Sequence, residues 1–275
     1  MKLGIGTAQF GMDYGISNIR GQCSEDEIRK IIESAVTHGI QVIDTAVAYG
    51  SSEEILGRIL PQNTFDVITK ISTNHTFQHS LKRLNRKKIY ALLAHSADHL
   101  LNREGEKLWK QMQQAKETDK VQKIGASVYN SNQIDQLLKR YPIDIIQVPI
   151  NLLDQRLILS GHLDRLKDLQ VEIHARSVFL QGLLLLNPDK LPVRFSSIQP
   201  LLKKLHQDCA QTNLTIIEAA VGFVQSLTQI DKVIVGFSSH NEFLDLIRAA
   251  EIKLQSINFS QYAINDNTIL NPSYW

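Results

Sequence analysis

Cysteine is scarce in this chain. Cys23 and Cys209 are the only two among 275 residues, and their separation fits neither a disulfide framework nor a metal-ligand spacing. No apolar run approaches the roughly 20 residues needed to cross a bilayer, and no signal peptide opens the sequence. These absences point to a reducing, cytoplasmic setting. Charge of one sign is lacking as well. Charged residues make up 21%, the formal net charge is +2 and acids and bases are interspersed, so nothing marks a nucleic-acid or membrane partner. The one basic cluster, Arg83 with Arg86, Lys87 and Lys88, reads as a solvated helix end. Linkers, repeats and low-complexity segments are missing, so one domain over residues 1–275 is expected.

What is present is alternation. Apolar runs with β-branched residues at 3–7, 42–44, 65–70, 89–95, 123–127, 143–147, 172–177 and 232–236 read as eight strands, separated by amphipathic stretches. One such stretch is 25–38, with Ser24 as N-cap, Ile28, Ile31, Ile32 and Ala35 on one face and Gly39 as the stop. Strand, helix, strand without interruption implies parallel pairing with right-handed crossovers, and eight units predict an α/β fold of the (β/α)8, or TIM barrel, type. An extra helical insertion interrupts the rhythm between strands seven and eight, with a loop at 187–192 and helices at 196–211 and 215–225 placed to cover a ligand. The polar tail 264–275, ending in Tyr274 and Trp275, either folds over a cleft or packs on the barrel.

Four polar residues close the apolar runs: Asp44, Tyr49, Lys70 and His95. Asp44 and Lys70 are 26 positions apart, Lys70 and His95 25, the length of one strand, one helix and two short loops. Neighbouring barrel strands therefore bring them together at the C-terminal rim, where barrels of this kind build their active sites. A free phenol titrates near pH 10, so a tyrosine transfers protons near neutrality only beside a cation that stabilises its phenolate. Lys70 can be that cation, Asp44 can keep it charged, and His95 can orient a substrate oxygen. A proton donor beside an oriented carbonyl suits carbonyl reduction. Singly, each residue has an ordinary role open to it: a turn cap, a half-buried aromatic, a surface charge, a core histidine. Two other functions share the pattern, a lyase forming a Schiff base on Lys70 and a catalytically idle regulatory barrel.

At this point the chain resembles the aldo-keto reductase family. Asp44-Thr45-Ala46, Tyr49-Gly50, Ser52-Glu53 and Leu56-Gly57 are similar to its signature, with Lys70 and His95 where the family keeps the rest of its tetrad. The likeness extends through Leu3 to Thr7, Ile124 to Ser127, Gln147 to Leu153, Ser177 with Gln181 to Leu184, and Val233 to Ser239. It implies that Tyr49 is the general acid, supported by Lys70 and Asp44, and that His95 orients the carbonyl. It also implies a nicotinamide dinucleotide bound without a Rossmann domain, and no Gly-x-Gly-x-x-Gly opens a helix here. By the same resemblance Ser127 and Gln147 meet the carboxamide. Gly6 and Thr7 of the first strand, Ser177, Phe179, Gln181, Gly182, Gly236, Ser238 and Ser239 line the rest of the cofactor site.

Three departures stand out. Val128 follows Ser127 where the family usually has Asn or an aromatic, and Arg176 replaces a tyrosine that stacks on the nicotinamide; its guanidinium can stack or turn away to an acid. Gly236 and Glu242 fall where many members bind the 2′-phosphate of NADP with basic residues. NADP(H) is the family default, but a carboxylate repels that phosphate and accepts from a free 2′-hydroxyl, which makes NAD(H) a candidate unless Arg248 or Lys253 supplies the charge. Phe10 to Tyr14, Phe77, Ser96 to His99, Phe179 and the tail are the expected substrate walls. Asp13, Asn18, Asp98, His99 and Asn151 would suit a hydroxylated carbonyl or alcohol such as a sugar derivative. A monomer or small homo-oligomer is expected.

Overall fold

The computed structural model describes residues 2–252, 254 and 257–275. Strands β1 (Leu3–Gly6), β2 (Val42–Asp44), β3 (Asp66–Ile71), β4 (Ile89–Ala94), β5 (Val121–Ser127), β6 (Ile145–Pro149), β7 (Glu172–Arg176) and β8 (Lys232–Gly236) alternate with helices. They close in sequence order into a parallel barrel, β8 pairing with β1, which is the expected (β/α)8 fold. Register pairs Gly6 with Asp44, Asp44 with Ile68, Lys70 with Leu93, Ser127 with Gln147 and Pro149 with Arg176, so their side chains gather at one rim.

The period of two along each strand explains why that rim is polar. Val42, Ile68, Leu93, Ile145 and Ile234 form a small apolar cluster of their own, apart from the large core between barrel and helices. Two residues further along the same strands come Asp44, Lys70, His95, Gln147 and Gly236. Each polar candidate therefore sits one layer above an apolar floor. Near the opposite end of the barrel, Tyr90 donates to Glu172 (2.6 Å), Lys123 pairs with the same carboxylate, and His174 Nε2 lies 2.5 Å from it.

Several element boundaries differ from the sequence reading, for local reasons. The β6 strand spans Ile145–Pro149 rather than 143–147: at its start the Ile124 amide donates to the Asp144 carboxylate (2.9 Å) instead of to a backbone carbonyl, and Pro149 needs no donor at the strand end. The β7 strand stops at Arg176, since Ser177 turns left-handed at φ 60°. The first long helix is Glu25–Thr37, capped by Ser24 as expected, and Gly39 leaves it at φ 67°. In the insertion, three short 3-10 turns precede Gln199–Gln211 and Ile216–Ser226, the latter closed by a Thr215–Glu218 capping box. Arg83 and Arg86 are not a solvated helix end: Arg83 pairs with buried Glu53, and Arg86 donates to the Leu60 and Pro61 carbonyls. The tail packs back on the insertion, with the Trp275 and Phe195 ring centroids 4.9 Å apart. Among the described residues no helix is long and apolar enough to cross a membrane.

Candidate active site

Lys70 is the centre of the arrangement. Its Nζ donates to an Asp44 carboxylate oxygen, to the Thr45 carbonyl (3.1 Å) and toward the Tyr49 hydroxyl (3.4 Å), which uses all three ammonium protons. Lys70 and Asp44 are both almost fully buried, their side chains 2% and 4% exposed. Burial works against the ammonium, but Asp44 and the Tyr49 oxygen more than offset it, and Lys70 is held above the ordinary lysine value. The result is a fixed cation aimed at a phenol.

The loop carrying Tyr49 is set by backbone approach. Gly50 has φ 55°, and a Cβ there would lie 2.2 Å from the Gly11 carbonyl oxygen; one on Gly11 would lie 1.8 Å from that of Tyr49. Only glycine at both positions lets the loops after β1 and β2 touch. A buried hydroxyl chain secures the contact: Ser52 donates to Thr7 (2.8 Å), Thr7 to the Asp44 carbonyl (3.0 Å), and Thr45 Oγ1 lies 3.1 Å from Ser52. Glu53, buried on the next helix, accepts from Thr69 (2.6 Å) and Arg83 (2.7 Å) and ties that helix to β3.

His95 follows β4 and stands edge-on to Tyr49, ring centroids 5.8 Å apart at 84°. Burial, then the Lys70 and Arg176 charges, push its pKa down to about 3, so the imidazole is neutral and able to donate one N–H. Arg176 does not turn to an acid. It donates to Ser127 Oγ (3.1 Å), Ser177 Oγ (2.9 Å) and the Val128 carbonyl (3.0 Å), and lies over the Tyr129 ring at 4.4 Å. Gln147 donates its amide to Asp44 (2.8 Å). An ionised carboxylate only accepts, so Gln147 Oε1 is turned away from it as an acceptor. Ser127, accepting from Arg176, keeps its own hydroxyl proton as a donor.

A cavity of about 420 Å³ runs from this cluster along the ends of β1, β7 and β8. Gly6, Thr7, Ser177, Phe179, Gln181, Gly182, Gly236, Ser238 and Glu242 line it, with Leu185 and Ile217 of the insertion. Leu180, Gln181 and Gly182 continue the left-handed backbone at φ 49°, 53° and 93°. Glu242 folds back to accept from the Ser238 amide (2.7 Å) and hydroxyl. Ser239 is buried and used as the cap of the helix His240–Glu251, outside the cavity lining. Arg248 pairs with Asp245 on the exposed face of that helix, and Lys253 lies outside the described residues.

Some proposed walls are elsewhere. Phe10 and Phe77 are buried in the layer between barrel and helices, and Asn151 spends its amide on Ser177, Leu153 and Asp154 backbone groups. Conversely, the sequence reading missed Gln9, whose buried Oε1 beside Gly236 has no partner among the described residues, and Asp245, which lines the cavity next to Glu242. It also understated Tyr14, a second phenol in the cavity whose pKa burial and nearby Tyr49 push up to about 12. No short-range pattern marks Gln9 or Tyr14, because their neighbours, Gly236 and Tyr49, are distant in sequence.

Residues 2–264 match the model of the Aldo/keto reductase family. Among curated proteins the chain is similar to Aldo-keto reductase YhdN of Bacillus subtilis (strain 168), 29% identical over 178 residues covering 57% of this chain and 52% of that relative. The match thus spans about half the relative's length. Among solved structures the fold is similar to aldo-keto reductase AKR11C1 from Bacillus halodurans in its holo form (TM-score 0.75, 19% identity, covering 95% of this chain and 90% of that one). It is also similar to the glycerol dehydrogenase AKR11B4 from Gluconobacter oxydans (TM-score 0.71, 20% identity, covering 94% and 89%).

Proposed function

The chain belongs to the aldo/keto reductase family, and from that premise we propose that it interconverts an aldehyde or ketone with its alcohol, using Tyr49 as proton donor and a nicotinamide dinucleotide. The observation that carries this reading is the Lys70 ammonium locked between Asp44 and the Tyr49 hydroxyl. As the Tyr49 proton passes to the carbonyl oxygen, the adjacent cation stabilises the phenolate left behind. Neutral His95 donates a hydrogen bond to the same oxygen and fixes its direction. A lysine held charged by a buried carboxylate is a poor Schiff-base nucleophile, which weighs against a lyase.

The cavity residues fit the cofactor. A carboxamide needs one donor and one acceptor, and the Ser127 hydroxyl and Gln147 Oε1 supply that pair with their other atoms already engaged. Gly236 leaves room where a Cβ would meet Gln9 at 2.6 Å, and the unpartnered Gln9 oxygen is an acceptor waiting at that spot. Bound there, the dinucleotide supplies the hydride. Among the described residues the β8 end carries Glu242 and no lining cation, Asp245 being paired with Arg248, which supports NAD(H) over NADP(H). Tyr14 and Asn18 add polar groups to the cavity, favouring a hydroxylated substrate.

The test is Tyr49→Phe. Turnover of aldehydes, ketones and sugars should fall by about 10²–10⁴-fold, the usual worth of a positioned general acid, while fluorescence titration gives unchanged dinucleotide affinity. Full turnover in the variant refutes the mechanism. The same titration on the wild type should show tighter binding of NADH than of NADPH, and a lower dissociation constant for NADPH refutes the cofactor preference.

A further inference from the structure

A second cavity, of about 560 Å³, shares His95 and Tyr129 with the first and opens outward from them. That size lies within the roughly 300–1,000 Å³ of small-molecule sites. Its far walls are the helix Ser131–Arg140 and the C-terminal tail. Asn132 and Gln136, one turn apart on that helix, make no side-chain hydrogen bond among the described residues and retain both a donor and an acceptor. Asn130 spends its oxygen on the Gln133 amide (3.0 Å) and Asn271 its oxygen on the Ser273 amide (3.1 Å), which leaves each with a free NH₂. Tyr274, 67% exposed, and Tyr129 add two phenol rings. Among the described residues no lysine or arginine lines this cavity.

We propose that this outer cavity is a substrate subsite for a neutral, polyhydroxylated unit, a glycosyl group or long polyol carried on the molecule whose carbonyl lies at Tyr49 and His95. Carboxamides pair with hydroxyls as both donor and acceptor, and aromatic faces cover the C–H faces of such a ligand. The missing cations argue against a phosphate or carboxylate at the same place. Asp98 is the one acid, and it is engaged by Gln133 (2.8 Å) and Ser96 (3.4 Å). The proposal rests on the carbonyl-reductase reading, which positions the reacting carbon, and it adds a direction: the substrate extends from His95 past Tyr129 toward the tail.

A matched pair of aldehydes tests it, 4-formylphenyl β-glucoside against 4-methoxybenzaldehyde, which share the carbonyl and ring and differ in the sugar. The glucoside should have a kcat/KM about tenfold higher, roughly one good hydrogen-bonded contact's worth. The double variant Asn132→Leu/Gln136→Leu should bring the two within about twofold while leaving 4-methoxybenzaldehyde unchanged. Tyr274→Ala, at an exposed tail position, should weaken the glucoside selectively in the same way. Equal kcat/KM for the pair, preference for 4-(carboxymethoxy)benzaldehyde over the glucoside, or an unaltered preference in the double variant overturns the subsite. If neither aldehyde is turned over, the reductase reading fails instead. Saturation-transfer NMR with methyl β-glucoside alone then decides the subsite: signal in the wild type that Asn132→Leu/Gln136→Leu removes supports it, and its absence overturns it.

Discussion

Replacing Lys70 by Met separates the chemistry of the buried pair from its role in stability. At 3.4 Å from the Tyr49 oxygen, and at an effective dielectric of about 20, the ammonium stabilises a full phenolate by about 5 kcal/mol. A transition state with half the charge developed loses about half of that, so kcat should fall between about 60-fold and about 4,000-fold. The same substitution leaves Asp44 buried with only Gln147 as a charged-state partner, and breaking a buried pair costs about 3–5 kcal/mol. Neutralising the orphan in Asp44→Asn/Lys70→Met should return most of that stability, because the asparagine oxygen can still accept from Gln147. It should return none of the rate. Urea unfolding and cofactor-absorbance kinetics on the wild type, the single variant and the double variant give both quantities. A folded Lys70→Met within about fivefold of wild-type kcat, or a double variant that recovers rate along with stability, refutes the assignment of Lys70 as the cation that serves Tyr49.

Two further outcomes follow from groups held away from their ordinary protonation. Burial opposes the Glu172 carboxylate, but His174, Lys123 and Tyr90 override it and hold its pKa down to about 2 against 4.5; the folded pKa being the lower one, its contribution is full above pH 4.5 and fades as pH falls toward 2. Wild-type stability in urea should therefore drop between pH 5 and pH 3 by more than that of Glu172→Gln, and parallel slopes would contradict the network. His95 should show no titration by ¹⁵N NMR from pH 5 to 8, and an inflection in that window would mean that the imidazole is not neutral as the site requires.

The barrel and its rim were legible because they depend on residues close in sequence. Apolar runs place the strands, and the two-residue period places Asp44, Lys70, His95 and Gln147 above the apolar layer without any knowledge of distant contacts. The partners were not legible. Arg176 reaching Ser127 and Val128 and Gln147 reaching Asp44 across 103 positions are choices of rotamer and register that no local pattern encodes. Phe77 illustrates the opposite error: an aromatic near the right loop, drawn inward because the layer beneath the helix needed its volume.

The hydrogen bond from Gln147 to Asp44 makes one carboxylate answerable for two recognition events. In the proposed mechanism it governs, through Lys70, how readily a proton leaves Tyr49. Through Gln147 it decides which end of an amide the cavity would present to the proposed dinucleotide. A change at Asp44 that removes its acceptor oxygen therefore reaches beyond acid–base chemistry, since releasing the glutamine frees it to rotate and blurs the distinction between donor and acceptor on the opposite side of the barrel. Strands β2 and β6 are thus joined as a functional unit by a contact that neither strand shares through the sheet.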